Sequence, residues 1–201
     1  AVKRNSPLDR TVMVLTIVGH SIPTFITALL FIFLFAVKLG WFPVSGMQTA
    51  NFKGTGFALF KDRMYHLALP LLIMTVQSLA GMTRYVRAAM IDALSMDYIK
   101  TARAKGLQEK VVIYSHAWRN ALLPVVTLII GWFMSIFSGS LVIERMFNLH
   151  GIGKFYIDAL QNQDYNIALA VQMFYIIIAL VGNLLTDISY GIVDPRVRVD
   201  Q

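Results

Sequence analysis

No cysteine occurs in the 201 residues, which excludes disulfides and thiolate metal sites and leaves the redox compartment open. Charge is scarce as well: Asp, Glu, Lys and Arg make up 14% of the chain against 57% for apolar residues, which come in runs too long for a soluble core. Charged or titratable residues bracket four such runs: 11–37 between Arg10 and Lys38, 67–83 between His66 and Arg84, 120–143 between Arg119 and Glu144, and 165–186 between Asp164 and Asp187. At a rise of about 1.5 Å per residue, roughly 20 residues cross a hydrocarbon core of about 30 Å. The expected fold class is therefore all-α, a polytopic membrane protein with four transmembrane helices in a single transmembrane domain over 1–201. We place the spans at about 11–37, 66–90, 121–143 and 166–190, with a loop at 92–119 on one side and loops at 38–65 and 144–165 on the other.

Chemical motifs are missing too. A phosphate-binding loop needs Gly, four residues and then Gly-Lys-Ser or Gly-Lys-Thr, so that backbone N–H groups wrap the phosphates. The nearest match, Gly151-Ile152-Gly153-Lys154-Phe155, has Asn148 where the first glycine belongs and no hydroxyl after Lys154, and it reads as a turn. Neither a His-Glu-x-x-His zinc site nor a Gly-x-Ser-x-Gly nucleophile elbow occurs, and no intramembrane protease constellation is visible. The chain is not read as an enzyme and is given no catalytic residue, metal or bound cofactor. Internal repeats and low-complexity tracts are absent, and the opening Ala1-Val2-Lys3-Arg4-Asn5-Ser6-Pro7 lacks the apolar core of a secretory signal.

What charge there is lies asymmetrically. Lys3, Arg4, Arg10, Arg196, Arg198 and the seven basic residues from Arg84 to Arg119 fall on one side, and Lys38, Lys53, Lys61, Arg63, Arg145 and Lys154 on the other. The ratio is about two to one, and basic residues in short loops accumulate on the cytoplasmic side. Both termini and the 92–119 loop are thus assigned to the cytoplasm. This bias and anionic lipid account for the basic balance without nucleic acid.

Along the chain, Pro23 within Gly19-His20-Ser21-Ile22-Pro23-Thr24-Phe25 predicts a kink, because proline frees a carbonyl one turn back. The 38–65 loop, with Trp41, Phe42, Pro43 and several glycines, reads as an irregular lid. Pro70 sits where a helix opening at His66 tolerates it, in the first turn. In 144–166, Ile152, Tyr156, Ala159 and Leu160 recur at helical spacing and predict a short amphipathic surface helix. Gly131, Ser135 and Gly139 form a small-residue stripe, with Ser138 and Ser140 beside it, which packs a neighbouring helix or lines a pathway. Trp132, Phe133 and Phe137 are aromatic candidates for the same wall. The polar residues in spans are His20, Gln77, Gln172, Asn183 and Asp187; of these Gln77 joins Gly131, Ser135, Ser138 and Gly139 as a pathway candidate, and Asp187 is read as structural, pairing with Arg196 or a partner's arginine.

The most telling stretch is Asp97-Tyr98-Ile99-Lys100-Thr101-Ala102-Arg103-Ala104-Lys105-Gly106-Leu107, a short polar helix between two spans. Asp97 is expected to cap its first turn, Arg103 and Lys105 to suit the dipole at its end, and Gly106 to stop it in the left-handed conformation. Tyr98, Ile99 and Leu107 are expected to offer apolar contact to something outside the chain, with Ala102 and Ala104 keeping the helix slim. Followed by His116-Ala117-Trp118-Arg119-Asn120-Ala121-Leu122-Leu123-Pro124, this stretch resembles the cytoplasmic EAA loop of bacterial ABC importer permeases of the dipeptide, oligopeptide and nickel type. The ending Asp194-Pro195-Arg196-Val197-Arg198 resembles the closing signature of the same group. Gln108 stands where that family often has a hydroxyl residue, which weakens the cap of the next helix.

The resemblance implies a permease subunit in a bacterial inner membrane, the last four of six helices, since the family carries two more upstream and this chain begins with Ala. It implies that 97–107 couples to an ATPase, with Asp97, Tyr98, Thr101, Ala102, Arg103, Ala104, Lys105, Gly106 and Leu107 as the coupling residues. The partners implied are a second, related permease chain, two ATP-binding cassette subunits holding ATP and Mg, an extracytoplasmic solute-binding protein and the lipid bilayer. Peptides, nickel or another small solute are the expected cargo. The alternative is an ATP-independent channel or a proton-coupled carrier using His20 and Asp187.

Overall fold

The computed structural model describes residues 2–193. All regular structure among them is helical, with no strand. The elements are α1 Pro7–Ser21, α2 Thr24–Phe31, α3 Phe57–Ser95, α4 Asp97–Ala104, α5 Glu109–Val111, α6 Arg119–Ser138, α7 Leu141–Met146, α8 Ile152–Gln161 and α9 Tyr165–Val193, with wider π-helical winding over Ile32–Lys38 and Val112–Trp118. Among the described residues three helices are long and apolar enough to cross a membrane, and there are four spans if the bent pair Pro7–Ser21 and Thr24–Lys38 counts as one. The fold class is thus all-α and polytopic. The ending Asp194-Pro195-Arg196-Val197-Arg198, and with it any pairing of Asp187 with Arg196, lies outside the described residues.

The first helix starts where its sequence says it should. Ser6 accepts the Asp9 N–H at 3.2 Å, Pro7 fills the first helical position, and the Asp9 carboxylate reaches back to the Asn5 N–H at 3.0 Å. The kink expected at Pro23 is a full break: α1 ends at Ser21, and the two helices meet at 101°. Proline cannot supply the N–H that the Gly19 carbonyl needs, so the ladder stops there.

α3 corrects the reading of Pro70. The helix begins at Phe57, not His66, so Pro70 lies in its interior and not in a first turn. The hydropathy step at Leu67 marks where an apolar environment begins, and the polar turns before it are helical as well. At 39 residues α3 has about twice the length a hydrocarbon core requires.

The chain divides into two compact units, one from the described parts of 1–16, 81–136 and 176–201, the other from 17–80 and 137–175. In the first, Met90, Ala93, Ile99, Ala102, Val112, Ala117 and Ala121 form a buried cluster, and the Arg87 guanidinium grips Asp9 through two 2.7 Å hydrogen bonds. In the second, Ala28, Ala36, Leu69, Ile73, Ile143, Phe147 and Leu149 form the core, and Tyr175 donates its hydroxyl to the Ser138 carbonyl at 3.1 Å. The 39–56 connection in this unit is irregular: Gly40, Gly46 and Gly56 take positive φ, and Thr49 pins it to Asp62 through its N–H at 2.8 Å and its hydroxyl at 2.6 Å.

Candidate functional site

α4 has eight residues and two unlike sides. Ile99 is fully buried and Ala102 nearly so, both within the cluster formed by Met90, Ala93 and Val112. Asp97, Tyr98, Lys100, Thr101, Arg103, Ala104, Lys105, Gly106 and Leu107 are exposed. The reading of Ile99 as an outward contact is therefore corrected: with Ala102 it is the root of the helix, and Tyr98 and Leu107 are the exposed apolar groups beside it. In so short a helix one apolar stripe faces either the chain's own core or a partner, and periodicity does not distinguish the two.

Both ends differ in how they are closed. The residue preceding the helix is Met96, in extended conformation, and no side chain caps the first turn. Asp97 does not cap; as the first helical residue it pairs with Lys100 at 2.8 Å, and its carbonyl accepts the Thr101 hydroxyl at 3.1 Å. The other end is as the sequence predicts. Gly106 has φ +77°, its N–H donates to the Arg103 carbonyl at 2.9 Å, and the Leu107 N–H donates to the Ala102 carbonyl at 3.3 Å. These paired bonds make a Schellman stop, which satisfies the last carbonyls and turns the chain away.

Across that turn, Arg103 holds Glu109 through bonds of 3.1 and 2.6 Å. The hydrogen bonds from Arg103 keep the Glu109 carboxyl below its ordinary pKa, and those to Glu109 raise that of the Arg103 guanidinium. Glu109 opens α5, so its charge also suits a helix N-terminus. The chain then winds through the π-helical Val112–Trp118, whose Val112 and Ala117 join the same buried cluster as Ile99.

The pathway candidates fall in both units: Gly131 and Ser135 in the first, Gln77, Ser138 and Gly139 in the second. Gln77 is in the second unit, where its Oε1 accepts the Thr24 hydroxyl at 2.9 Å, beside the α1–α2 break. Gly131 on α6 is exposed with open space at its Cβ position, and Ser135 donates its hydroxyl to the Trp132 carbonyl of its own helix at 2.7 Å. α6 ends at Ser138, and Gly139 has φ +70°, so the helical stripe stops at Ser135.

One organising residue escaped the sequence reading, which treated Glu144 as a boundary charge. Glu144 is buried, and its carboxylate accepts the Ser140 N–H at 2.9 Å and the Lys154 N–H at 2.7 Å. A Cβ at Gly139 or Gly151 would collide with that carboxylate, and one at Gly153 would come within 3.0 Å. The signal was there in three glycines spaced around one carboxylate. The same geometry explains why Gly151-Ile152-Gly153-Lys154 is not a phosphate cradle: its Lys154 N–H is already bonded to Glu144. Among the described residues, no three His, Asp or Glu side chains stand close enough to share a metal ion.

Helices of this length and apolarity, joined by a short exposed polar helix closed by Gly106, define a polytopic membrane protein. Residues 1–199 match the family described as binding-protein-dependent transport system inner membrane component, and the chain belongs to that family. It is 42% identical over 193 residues to an oligopeptide transport system permease protein of Bacillus subtilis (strain 168), covering 96% of this chain and 60% of the relative. A dipeptide transport system permease protein of the same organism is 37% identical over 199 residues, covering 99% and 60%. A glutathione transport system permease protein of Pectobacterium atrosepticum is 36% identical over 198 residues, covering 98% and 60%. The chain thus spans about three fifths of the length of these curated relatives. They are transport permease components, and the family is one of inner membrane proteins.

Proposed function

We propose that the chain forms the greater part of a permease subunit in an ATP-driven peptide importer. The names of its relatives support peptide cargo over nickel. A second permease chain, related but different, completes the pathway; two ATPase subunits supply ATP hydrolysis with their own Mg; and a solute-binding protein delivers cargo from outside. The chain itself performs no bond-breaking step. In this reading α4 and the chain termini face the cytoplasm, as the basic bias favours.

The observation that carries the proposal is α4. Its exposed face of Tyr98, Lys105 and Leu107 is free for a partner while Ile99 and Ala102 fix it to the permease's own helices. Closure of the ATPases on nucleotide pushes that face, and a helix rooted in a packed core passes the push on as a rigid-body movement. Gly106→Arg tests this. Residue 106 has open space around it, so the substitution enlarges the exposed knob and costs only about 1 kcal/mol in backbone conformation. In the whole transporter, uptake falls by about tenfold or more while the permease still inserts, since a bulky charge at an interface costs at least that much in coupling. Uptake at the unmodified level, with ATPase normally assembled, contradicts the proposal.

A further inference from the structure

The break between α1 and α2 opens a hollow of about 350 Å³, within the size range of small-ligand sites, roughly 300–1,000 Å³. His20, Ser21, Thr24, Gln77 and Ser78 line it, all within the second unit. It lies near the middle of the apolar 11–37 segment, where polar groups are costly.

Its backbone is as unusual as its side chains. Pro23 offers no N–H, the Ile22 N–H reaches back to Val18 at 3.3 Å, and the Ile26 and Thr27 N–H groups turn to the Pro23 carbonyl at 3.0 and 3.2 Å. Among the described residues, no backbone N–H is bonded to the carbonyls of Gly19, His20 or Ser21. Free carbonyls at membrane depth persist where they line a cavity that supplies partners, and broken helices use such ends to coordinate cations. These three are the negative end of a fifteen-residue helix. No Asp, Glu, Lys or Arg is among the lining residues. The Thr24 hydroxyl is committed to Gln77, whereas the exposed Ser21 and Ser78 hydroxyls flank the opening.

A site of carbonyl and hydroxyl oxygens at a helix C-terminus, without a carboxylate, attracts a cationic N–H donor through dipoles alone. Such a hold is selective and weak enough to release. We infer that the break receives the α-ammonium group of a peptide in transit, with the adjoining amide N–H groups bonded to the freed carbonyls. The inference rests on the peptide-importer reading and assigns the cargo contact within it.

Because these 201 residues contain no cysteine, Ser21→Cys and Ser78→Cys each place a single thiol within them. Leu71→Cys, at an exposed position of α3 that does not line the hollow, is the control. The complete transporter, solubilised without its solute-binding protein, is treated with 2-aminoethyl methanethiosulfonate, and the adduct on this chain is followed by mass. Trialanine at millimolar concentration is expected to slow modification at positions 21 and 78 several-fold and to leave position 71 unchanged. N-acetyl-trialanine is expected to protect neither. Equal protection by both peptides, or protection by neither while vesicles holding the full system still take up trialanine, overturns the inference alone. Absence of any peptide uptake by those vesicles overturns the peptide reading and this inference together.

Discussion

Two turns in this molecule use the same backbone device for opposite ends. Gly106 and Gly139 both take left-handed φ, +77° and +70°. Around Gly106 there is open space, whereas a Cβ at Gly139 would run into the Glu144 carboxylate. The first turn closes a helix whose charges are exposed, and its ion pairs Lys100–Asp97 and Arg103–Glu109 stand largely in solvent. The second wraps a buried carboxylate in backbone N–H groups. One stands open to its surroundings, the other is sealed within. A positive-φ glycine therefore does not reveal its purpose until its surroundings are known.

The contrast breaks most sharply at Glu144. Glu144→Ala leaves the part-buried Ser140 and Lys154 N–H groups without their acceptor and removes a buried side chain, at a cost of about 3 kcal/mol or more, from roughly 1–3 kcal/mol per orphaned group. The thermal midpoint of the solubilised complex reads it, and a midpoint unchanged from the parent would mean the carboxylate does not hold the turn. Next comes the root of α4. Ile99→Ala removes a fully buried side chain and costs about 3 kcal/mol. Protease cleavage near Lys105 is expected to rise with it; a variant as resistant as the parent would show that the exposed side, not the core, fixes the helix.

The smallest effect is at the exposed pair, where solvent screening leaves little energy. Hydrogen bonds from Arg103 lower the Glu109 pKa. The carboxylate's contribution is thus fully present above the ordinary glutamate range and is lost as pH falls through the lowered folded value. Amide exchange around Leu107, corrected for its intrinsic pH dependence, is expected to quicken only on acidification below that range. Glu109→Gln should abolish the step. A step that survives in the variant would assign it to another group.

Much of this was legible in the residues. The apolar runs gave the helices, and Gly106 gave its stop, because a Schellman turn depends on a local conformation that glycine alone takes easily. Other features depend on distant partners and were not. Asp97 has the right chemistry for a cap, but Met96 takes the capping position and Lys100 takes the carboxylate. Ile99 looked outward because an eight-residue helix does not say which side has neighbours. Pro23 predicted a disturbance, but the 101° bend is accompanied by bonds to the Pro23 carbonyl and between Thr24 and Gln77, a residue 53 positions away. Glu144 was hidden because its partners are backbone groups up to ten residues away.

The buried foot of α4 has a mechanical corollary. In the coupling proposed above, a rivet with play beneath its head would waste the first part of every stroke, and contacts as few as Tyr98, Lys105 and Leu107 would leave little to waste. Ile99 and Ala102 take up that play, locked among Met90, Ala93, Val112 and Ala117 at the density of a protein interior. Backlash is thereby confined to side-chain rattling, and whatever displaces the rivet's head displaces the plates it joins.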